Sequence, residues 1–432
     1  MIVRLLYYYF KALYLQQRFT SREQISAYQE KKFKTLVKKT LRKSPFYQAY
    51  LDKPFHEWPI INKKIMMTHF DEINTVKIKK DMALELALKA ESSRDFTALI
   101  DNVAVGLSSG TSGNRGLFLA NAQERDAWAG ILLAKVLPKG LKRQERIAFF
   151  LRANNRLYTT LSKSRKIQFT FFDLFEDFET HLEKLNRLQP TILSAPASVL
   201  LALAKEKHRL HIVPEKIFAV AEVLEARDEA LIGKAFNCPI SQVYQCTEGF
   251  LAVSDKSNNH LLMNEEYLII EKEWLDETRF VPIITDLMRT TQPIIRYRLD
   301  DVLIEAESTT VFTRLARVEG RVGDICYATK GKKVIPLFAD LIRQKMASFP
   351  FEFDDYTIQQ LDLNRFTIQI TPDLRERNAL TSHLNTLFHA QNYDIPHWEW
   401  LPFIKKELGA KNRRIQVLPS LHQQINAQKD KI

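Results

Sequence analysis

The chain has 432 residues, of which 45% are hydrophobic and 26% are charged, with a formal net charge of +12. This ordinary globular composition has no low-complexity segment and provides ample core for more than one domain. The three cysteines have no CxxC spacing, so the sequence does not indicate a zinc or disulfide framework, and no apolar run approaches the roughly 20 residues of a membrane span. Free thiols fit a reducing compartment, so we expect a cytoplasmic protein.

The first 53 residues form a basic arm. They carry twelve Lys/Arg and three Asp/Glu, so +9 of the total +12 belongs to this arm. Its opening, MIVRLLYYYFKALYLQQRF, has a short apolar core and no small-residue cleavage site, so we predict no export signal. An interfacial helix that contacts a membrane peripherally, or a partner, stays open as an alternative.

A second helical pattern with many lysines lies within the arm. Apolar residues recur at helical spacing from Phe33 to Leu41. Because most charge runs are solvated faces, the pattern favours a surface helix docked on the main body. The alternative is attraction to acidic lipid, nucleic acid or an acidic carrier protein. No nucleic-acid module accompanies the arm, so we expect no nucleic-acid binding.

The elements that follow predict an α/β protein. Residues 80–93 read as a helix, DNVAVGLSS as a strand, and AQERDAWAGILLAKVL, from Ala122, as the next helix. A glycine-rich loop is therefore expected between a strand and a helix, or close to such a junction. From about 145 to 250, strand-like and helical segments alternate, which favours a layered body with parallel strands.

The last third of the chain changes character. Short β-like runs dominate residues 260–320, and after GRVGD the sequence TIQQLDLNRFTIQIT predicts a strand pair and NALTSHLNTLFHAQ a helix. This pattern predicts an N-terminal lobe over residues 1–320 and a small α+β domain over residues 325–432.

The glycine-rich loop, VGLSSGTSGNRG, runs from Val105 to Gly116 and contains four of the chain's 12 glycines. Glycines let backbone N–H groups converge and hydroxyls add donors, so such a loop can bind phosphate oxygens. It does not match the Walker pattern, because no Gly-Lys pair follows. A flexible surface loop is the alternative reading.

Four further motifs carry chemistry. In YQCTEG, Thr247 beside Glu248 can offer a hydroxyl to phosphate and a carboxylate to Mg²⁺. RYRLDD, which ends at Asp301, offers a carboxylate suited to a ribose diol. GRVGD lies at the predicted domain junction, and KKELGAKNRR brings cations near the C-terminus. Taken singly, each has a structural alternative: a helix cap, surface ion pairs or a solvated tail.

The order of these motifs resembles the adenylate-forming superfamily of acyl-CoA synthetases, peptide-synthetase adenylation domains and luciferases. With SPFY, WPIINK, AEVLE and IIRYRLDD, the chain is most similar to the phenylacetate–CoA ligase and coenzyme F synthetase branch, which is also labelled CapK-like. The resemblance covers about residues 40–416. It implies the adenylate-forming fold, a large layered α/β lobe with mixed and parallel sheets plus a small mobile α+β domain.

The resemblance also implies roles for individual residues in binding ATP and Mg²⁺. Tyr244 would lie along the adenine, Thr247 would contact the α-phosphate, and Glu248 would bind Mg²⁺. Lys411 would be the catalytic lysine that reaches the carboxylate and α-phosphate oxygens. Asp301 would bind the ribose hydroxyls, with Arg321 nearby, and Glu222 would lie near the nucleotide. The β- and γ-phosphates would be bound by the residues of the glycine-rich loop: Ser108, Ser109, Gly110, Thr111, Ser112 and Gly113.

The sequence departs from the family pattern at three places. Asn114 and Arg115 stand where a lysine commonly follows the loop's second glycine, and Arg115 could supply that charge with a different geometry. Gln245 replaces a usual glycine in YQCTE. Gly323 stands where an acid or lysine often marks the hinge between the domains.

The implied activity is ATP-dependent conversion of a carboxylic acid to an acyl-adenylate, with release of pyrophosphate and transfer to a thiol. Aryl acids are the substrates that the branch suggests, and coenzyme A or a carrier protein is the acceptor. Two alternatives stay open: an adenylyltransferase that moves AMP to a hydroxyl of a cofactor or metabolite, and a non-enzymatic binding protein on the same fold.

Overall fold

The computed structural model describes residues 2–108, 115–151, 166–255, 260–308, 310–406 and 412–429. The chain divides into two compact units. The first unit consists of Met1–Leu224, Glu229–Leu299 and Leu303–Arg317. The second consists of Val318–Ile432 together with Glu225–Asp228 and Asp300–Val302. Two short segments that precede Val318 therefore pack with the second unit, and one of them, Glu225–Asp228, lies far earlier in the sequence.

The chain begins with two long helices, α1 (Ile2–Arg18) and α2 (Arg22–Lys39). Helix α1 packs along α7 (Ala122–Val136), where a Cβ on Gly130 would lie 2.4 Å from the carbonyl oxygen of Leu5. The absence of a side chain at this glycine is what permits the two helices to approach so closely. Helix α2 packs through Leu36 among apolar side chains of the body, which confirms the predicted docked helix.

A short irregular stretch follows α2. The motif WPIINK lies in this stretch, where Ile61 forms a β-bridge with Tyr297: the Ile61 N–H donates to the carbonyl of Arg296 at 3.0 Å, and the Arg298 N–H donates to the carbonyl of Ile61 at 2.8 Å. This stretch and its continuation contain four helices: α3 (Pro45–Gln48), α4 (Lys63–Thr68), α5 (Phe70–Ile73) and α6 (Lys80–Ser93).

Three short strands form an antiparallel sheet in the order β1 (Leu99–Ile100), β2 (Val103–Leu107) and β3 (Leu117–Ala120). The glycine-rich loop joins β2 to β3, and Leu107 pairs with Leu117 across its base. The loop thus follows a strand and lies close to α7, as expected, but the four-residue strand β3 separates it from that helix. Asn121 and Glu124 cap α7 with a capping box, so part of its N-terminal hydrogen bonding is satisfied internally.

Twelve strands form the large mixed sheet, most of whose residues lie in the first unit. They are β4 (Glu145–Leu151), β5 (Ile167–Asp173), β6 (Ile192–Pro196), β7 (Lys216–Val220), β8 (Ile240–Gln245), β9 (Phe250–Ser254), β10 (Leu261–Met263), β11 (Leu268–Trp274), β12 (Arg279–Asp286), β13 (Tyr297–Arg298), β14 (Asp301–Ala306) and β15 (Arg314–Arg321).

The order of the strands in this sheet is β11-β12-β14-β15-β10-β9-β8-β7-β6-β4-β5, with β13 paired to β12. Strands β5, β4, β6, β7 and β8 are parallel, whereas the pairs β8–β9, β9–β10, β10–β15 and β11–β12 are antiparallel. The predicted mixed and parallel lobe is confirmed; β5 was not foreseen. The parallel strands are linked through three helices: α8 (Phe178–Leu188), α9 (Ala197–Lys205) and α10 (Ala226–Phe236).

The second unit is a small α+β assembly, as predicted. Its four-stranded sheet has the order β20-β19-β18-β21, in which β18 and β19 form the predicted antiparallel pair and both outer strands run parallel to their neighbours. Its elements are β16 (Cys326–Lys330), β17 (Lys333–Leu337), α11 (Ala339–Ala347), β18 (Asp355–Asp362), β19 (Arg365–Thr371), α12 (Arg377–Ala390), β20 (His397–Trp400), β21 (Ile415–Val417) and α13 (Pro419–Lys429). Across the described residues, no helix combines the length and apolarity needed to cross a bilayer.

Candidate active site

Ser108 closes the base of the glycine-rich loop. Its N–H donates to the carbonyl of Gly116 at 2.7 Å, and its hydroxyl oxygen accepts from the Gly116 N–H at 2.7 Å. The loop is therefore held at both ends by strands β2 and β3. The other residues predicted to bind phosphate, from Ser109 to Gly113, lie outside the described residues, as does Asn114.

Arg115 is not available as the substitute for the missing lysine. Its guanidinium forms a two-pronged pair with Glu91, with one bond at 2.6 Å, and its Nε donates to the carbonyl of Ser108 at 3.0 Å. The hydrogen bond to Glu91 raises the pKa of Arg115, although partial burial opposes it. The charge of Arg115 is thus compensated, and the residue braces the loop.

Lys63 lies beside the same loop and was not assigned a role from the sequence. It is half-buried in the first turn of α4, and its Cε lies 3.7 Å from the position that a Cβ would take on Gly116. The sequence did contain an indication of this lysine, because in WPIINK it directly follows an apolar run and Asn62, the N-cap of α4.

The predicted metal and phosphate residues occupy the tip of a tight hairpin between β8 and β9. The Cys246 N–H donates to the Gly249 carbonyl at 3.0 Å, and the Gly249 N–H donates back at 3.3 Å. Thr247 and Glu248 are the two residues between these paired positions, and both are half-buried. The helix-cap alternative for this motif is therefore wrong. Tyr244 lies on β8 and packs in an apolar cluster of the first unit.

The Glu248 carboxylate is oriented by two hydroxyl groups. Tyr297, on β13, donates to Oε1 at 2.9 Å, and Thr247 donates to Oε2 at 2.7 Å. A carboxylate has about four lone-pair positions, so each oxygen retains the capacity to bind a cation. Among the described residues, no group of three or more His, Cys, Asp or Glu side chains could hold a metal ion by itself.

Arg289 connects the hairpin of the glycine-rich loop to the hairpin of Glu248. Its guanidinium donates to the carbonyl of Leu119 on β3 at 3.1 Å and to the carbonyl of Thr247. Asp286 accepts from the N–H groups of Met288 and Arg289 at 2.7 and 3.1 Å. Burial raises the pKa of Asp286 to about 6, although the charge of Arg289 opposes that rise.

Glu124 fastens the same segment, DLMRTTQP, to the start of α7. Its carboxylate accepts from the N–H groups of Thr290 and Thr291 at 2.5 and 2.8 Å and from the Asn121 N–H at 2.7 Å. Neither Glu124 nor Arg289 was assigned a role from the sequence. The sequence shows only that DLMRTTQP is a polar segment between two apolar strand patterns, and this does not reveal which residues it contacts in the fold.

In the second unit, the two residues predicted for the ribose are neighbours. The Arg321 Nε lies 3.8 Å from Oδ1 of Asp301. The Arg321 backbone N–H donates to Asp324 at 3.1 Å, which fixes the short turn of GRVGD.

The GRVGD and KNRR motifs also meet in the second unit. Arg413 donates to Asp324, with its Nε at 3.0 Å. Arg414 is buried and pairs with Asp228 and Asp355 at 2.6 and 2.7 Å. The solvated-tail alternative is therefore wrong for these two arginines. Lys411 lies outside the described residues.

Glu225 completes this buried ionic cluster. It lies 2.9 Å from Arg414 and 3.4 Å from Arg343. Burial raises the pKa of Glu225, and both arginines oppose the rise. The cluster thus joins the AEVLE segment to the core of the second unit.

Comparison with known proteins places this geometry in context. No protein-family model matches the chain. Over 158 residues the chain is 28% identical to Protein CapK of Staphylococcus aureus, covering 34% of the chain and 35% of the relative. The match thus spans about a third of that relative's length.

Solved structures match over almost the whole chain. A 2-hydroxyisobutyryl-CoA ligase in complex with 2-HIB-AMP, in the postadenylation state, aligns with a TM-score of 0.66 at 12% identity, over 93% of this chain and 91% of that one. A GH3.15 acyl acid amido synthetase aligns with a TM-score of 0.62 at 12% identity, over 96% and 95%. The chain has the adenylate-forming fold. The predicted fold class and the resemblance that implied it are confirmed.

Within this adenylate-forming fold, Glu222 has a structural partner. Its carboxylate accepts from the Ser198 N–H at 2.9 Å, in the first turn of α9. The residue at the N-cap of α9 is Pro196, which has no side-chain acceptor, so Glu222 supplies the missing cap. The predicted position near the nucleotide stays a prediction.

Proposed function

We propose that this protein activates a carboxylic acid with ATP to form an acyl-adenylate, with release of pyrophosphate. The observation that carries the proposal is the Glu248 carboxylate at the tip of the β8–β9 hairpin, oriented by Tyr297 and Thr247. It is supported by the adenylate-forming fold and by the postadenylation complex of the ligase that shares it.

The phosphates of ATP are the proposed ligands of the loop that Ser108 and Gly116 close. Backbone N–H groups and hydroxyls of a glycine-rich loop bind phosphate without a charged side chain. Lys63 supplies the cation that Arg115 cannot supply, because Glu91 already compensates the Arg115 charge. A lysine acts there as a mobile point charge with three donors.

Glu248 is the proposed ligand of Mg²⁺. Magnesium is commonly bound through one or two carboxylates plus substrate phosphates, so a single protein carboxylate is sufficient. The half-buried Glu248 fits this role, because its two hydroxyl donors leave lone pairs on both oxygens. When bound, the ion would screen the negative charge of the phosphates.

The remaining roles follow from the charges of the reaction. An oxygen of the substrate carboxylate forms a bond to the α-phosphorus while the bond to the bridging oxygen of pyrophosphate breaks, so no proton must move. Both reactants are anions, and the protein must offset their repulsion and hold them in line. We assign Thr247 and Lys411 to the α-phosphate, Tyr244 to the adenine, and Asp301 to the ribose. The adjacent Arg321 orients Asp301.

A thiol is the proposed acceptor of the acyl group. The thiolate sulfur of coenzyme A or of a phosphopantetheine arm attacks the acyl carbon, and AMP leaves with its bonding electrons. We propose that the small domain rotates before this second step, with the junction near Arg321 as the hinge. That rotation would move Lys411 away from the reacting atoms.

The test is pyrophosphate release with ATP and Mg²⁺ across aryl, fatty and amino acids, each with and without coenzyme A. Release that depends on one acid class is expected, and thioester formation would identify the acceptor. Lys411→Ala should abolish adenylate formation while retaining ATP binding, whereas Lys405→Ala, an exposed lysine of the same segment, should leave both intact.

Three outcomes would contradict parts of the proposal. Adenylate formation by Lys411→Ala at the wild-type rate would remove the catalytic lysine. A stable adenylylated hydroxyl product would favour the adenylyltransferase alternative. ATP binding without pyrophosphate release for any acid would favour a binding protein on this fold.

A further inference from the structure

Helix α1 exposes an apolar stripe on the side opposite to its buried face. Tyr8, Tyr9, Ala12 and Leu15 are buried, and the last three belong to the core cluster that α7 helps to build. Residues three and four apart lie on one face of a helix. The exposed stripe consists of residues at that spacing: Val3 (80% exposed), Tyr7 (58%), Phe10 (61%) and Tyr14 (61%).

A row of cations borders this stripe. Arg4, Lys11 and Arg18 recur every seventh residue along α1, and therefore lie along one edge of the helix. Lys11 lies over the rings of Tyr7 and Tyr8, 5.6 and 5.8 Å from their centroids. The cations are thus adjacent to the apolar side chains and not on a separate face.

Two lysines of α2 extend this positive surface. Burial lowers the pKa of Lys32, and the charges of Lys11, Lys31 and Arg18 lower it further. These cations are therefore close enough to repel one another. Arg4 pairs with Asp126, but in the part of the chain that the structure describes no carboxylate forms an ion pair with Lys11, Arg18, Lys31 or Lys32.

We propose that α1 docks on the surface of an anionic lipid bilayer, with its apolar stripe at headgroup depth and its cations among the lipid phosphates. Tyrosine suits this position because its ring is apolar and its hydroxyl is polar. Uncompensated cations next to the stripe match the negative potential of such a surface. The inference is independent of the proposed activity.

The same features disfavour two other occupants. Pairing of two copies through α1 would bring two rows of uncompensated cations together. Nucleic acid would satisfy the cations but would leave the aliphatic and aromatic stripe in water. A lipid surface satisfies both the stripe and the cations.

The test is flotation of the full chain with vesicles at ~0.15 M salt, comparing phosphatidylcholine alone with phosphatidylcholine containing about 30% phosphatidylglycerol. Binding is expected only to the anionic vesicles. The triple variant Tyr7→Ser, Phe10→Ser and Tyr14→Ser should weaken that binding at least ~10-fold. The matched control replaces three comparably exposed apolar residues elsewhere, with no expected effect: Phe175→Ser, Val213→Ser and Ile404→Ser.

A second variant tests the charges without changing the stripe. Lys11→Gln, Lys31→Gln and Lys32→Gln together should also weaken binding about 10-fold or more. The control removes the same charge from the exposed β16–β17 hairpin, through Lys330→Gln, Lys332→Gln and Lys333→Gln, and should bind as the wild type does. Circular dichroism of each variant verifies that it folds.

The proposal is overturned if the wild-type chain does not float with anionic vesicles, or if the control variants lose as much binding as the test variants. A concentration-dependent dimer that the stripe variant abolishes, with no vesicle binding, would assign the face to a second copy. Retention of duplex DNA without vesicle binding would assign it to nucleic acid.

Discussion

The orientation of the Glu248 carboxylate is determined by the residues around it. Two hydroxyl donors, from Tyr297 and Thr247, fix one orientation of the carboxylate. Thr247 is adjacent to Glu248 in the sequence, so a contact between the two could be predicted from the sequence. Tyr297 lies on another strand, and only its position beside the β8–β9 hairpin makes it part of the site.

Tyr297→Phe removes one of these donors and should leave the Glu248 carboxylate held by Thr247 alone, and therefore less firmly oriented. We expect adenylate formation to fall ~10-fold and the Mg²⁺ requirement to rise, with about 1 kcal/mol lost in stability. The measurement is pyrophosphate release as a function of Mg²⁺ concentration. Tyr267→Phe is the control, because in the described structure its buried hydroxyl has no hydrogen-bond partner; equal losses in both variants would refute the role of Tyr297.

Asp286 gives a prediction about pH. Its folded-state pKa is raised to about 6 by burial, so between about pH 4 and 6 the folded chain binds more protons than the unfolded chain. The free energy of unfolding should therefore fall by up to about 3 kcal/mol as the pH rises through this range. Asp286→Asn should lack this component, which denaturant unfolding at pH 4 and pH 7 would measure.

Asp276→Asn is the control, because the pKa of Asp276 is shifted in the opposite direction to that of Asp286. Partial burial raises the pKa of Asp276, but hydrogen bonds from the Thr278 and Arg279 N–H groups and the Arg279 guanidinium lower it overall. Its contribution to stability is present at neutral pH and is lost as the pH falls. If Asp286→Asn and the wild-type chain show the same pH dependence, the raised pKa of Asp286 is wrong.

At the scale of elements, the candidate site consists of two hairpins held by one segment. The β2–β3 hairpin holds the glycine-rich loop, and the β8–β9 hairpin holds Glu248. The segment DLMRTTQP contacts both through Arg289 and is fastened to α7 by Glu124. Periodicity predicted most of the strands and helices correctly, because each buries one face. It missed β3, whose four residues are too few to establish a period, and it also missed the seven-residue strand β5.

Arg289→Lys tests whether this link matters for the reaction. A lysine cannot donate in the fork geometry of a guanidinium, so the carbonyls of Leu119 and Thr247 would no longer share one side chain. We expect pyrophosphate release to fall ~10-fold or more. Arg146→Lys is the control, since Arg146 also donates to a backbone carbonyl, that of Gln189, but forms no hydrogen bond with the described residues of either hairpin. Unchanged activity of Arg289→Lys would exclude the link.

At the scale of the whole molecule, the second unit is assembled from segments that are distant in sequence. Arg414 pairs with Asp355, within the last third of the chain, and with Glu225 and Asp228, which come from a segment nearly two hundred residues earlier. Residues 318–432 therefore do not contain every group that stabilises the second unit, because Glu225 and Asp228, which compensate the charge of the buried Arg414, lie outside them.

Arg414→Met in the full chain should destabilise the second unit by about 3–5 kcal/mol, because it leaves buried carboxylates without their partner. In a full chain that also carries Glu225→Gln and Asp228→Asn, the same substitution should cost much less stability, because only the pair with Asp355 remains to be broken. Thermal unfolding of the four proteins measures this contrast. Arg365→Met, which breaks an exposed pair with Asp362, should be nearly neutral in both contexts. A similar loss from Arg414→Met in both contexts would exclude the role of the two distant carboxylates.

The sequence by itself determined the fold class and the candidate motifs. The fold class follows from hydrophobic periodicity, which reflects the burial of one face of each element. The motifs can be found without a structure, because the chemistry of glycine, hydroxyl and carboxylate residues is known from the residue type. The tertiary structure alone decided which charges are free and which are compensated: Arg115 is paired with Glu91, and Arg414 with three carboxylates. It also decided that Tyr297 orients Glu248. The reason is physical, because the strength and direction of a polar interaction depend on distances between side chains that the folded chain brings together from remote positions.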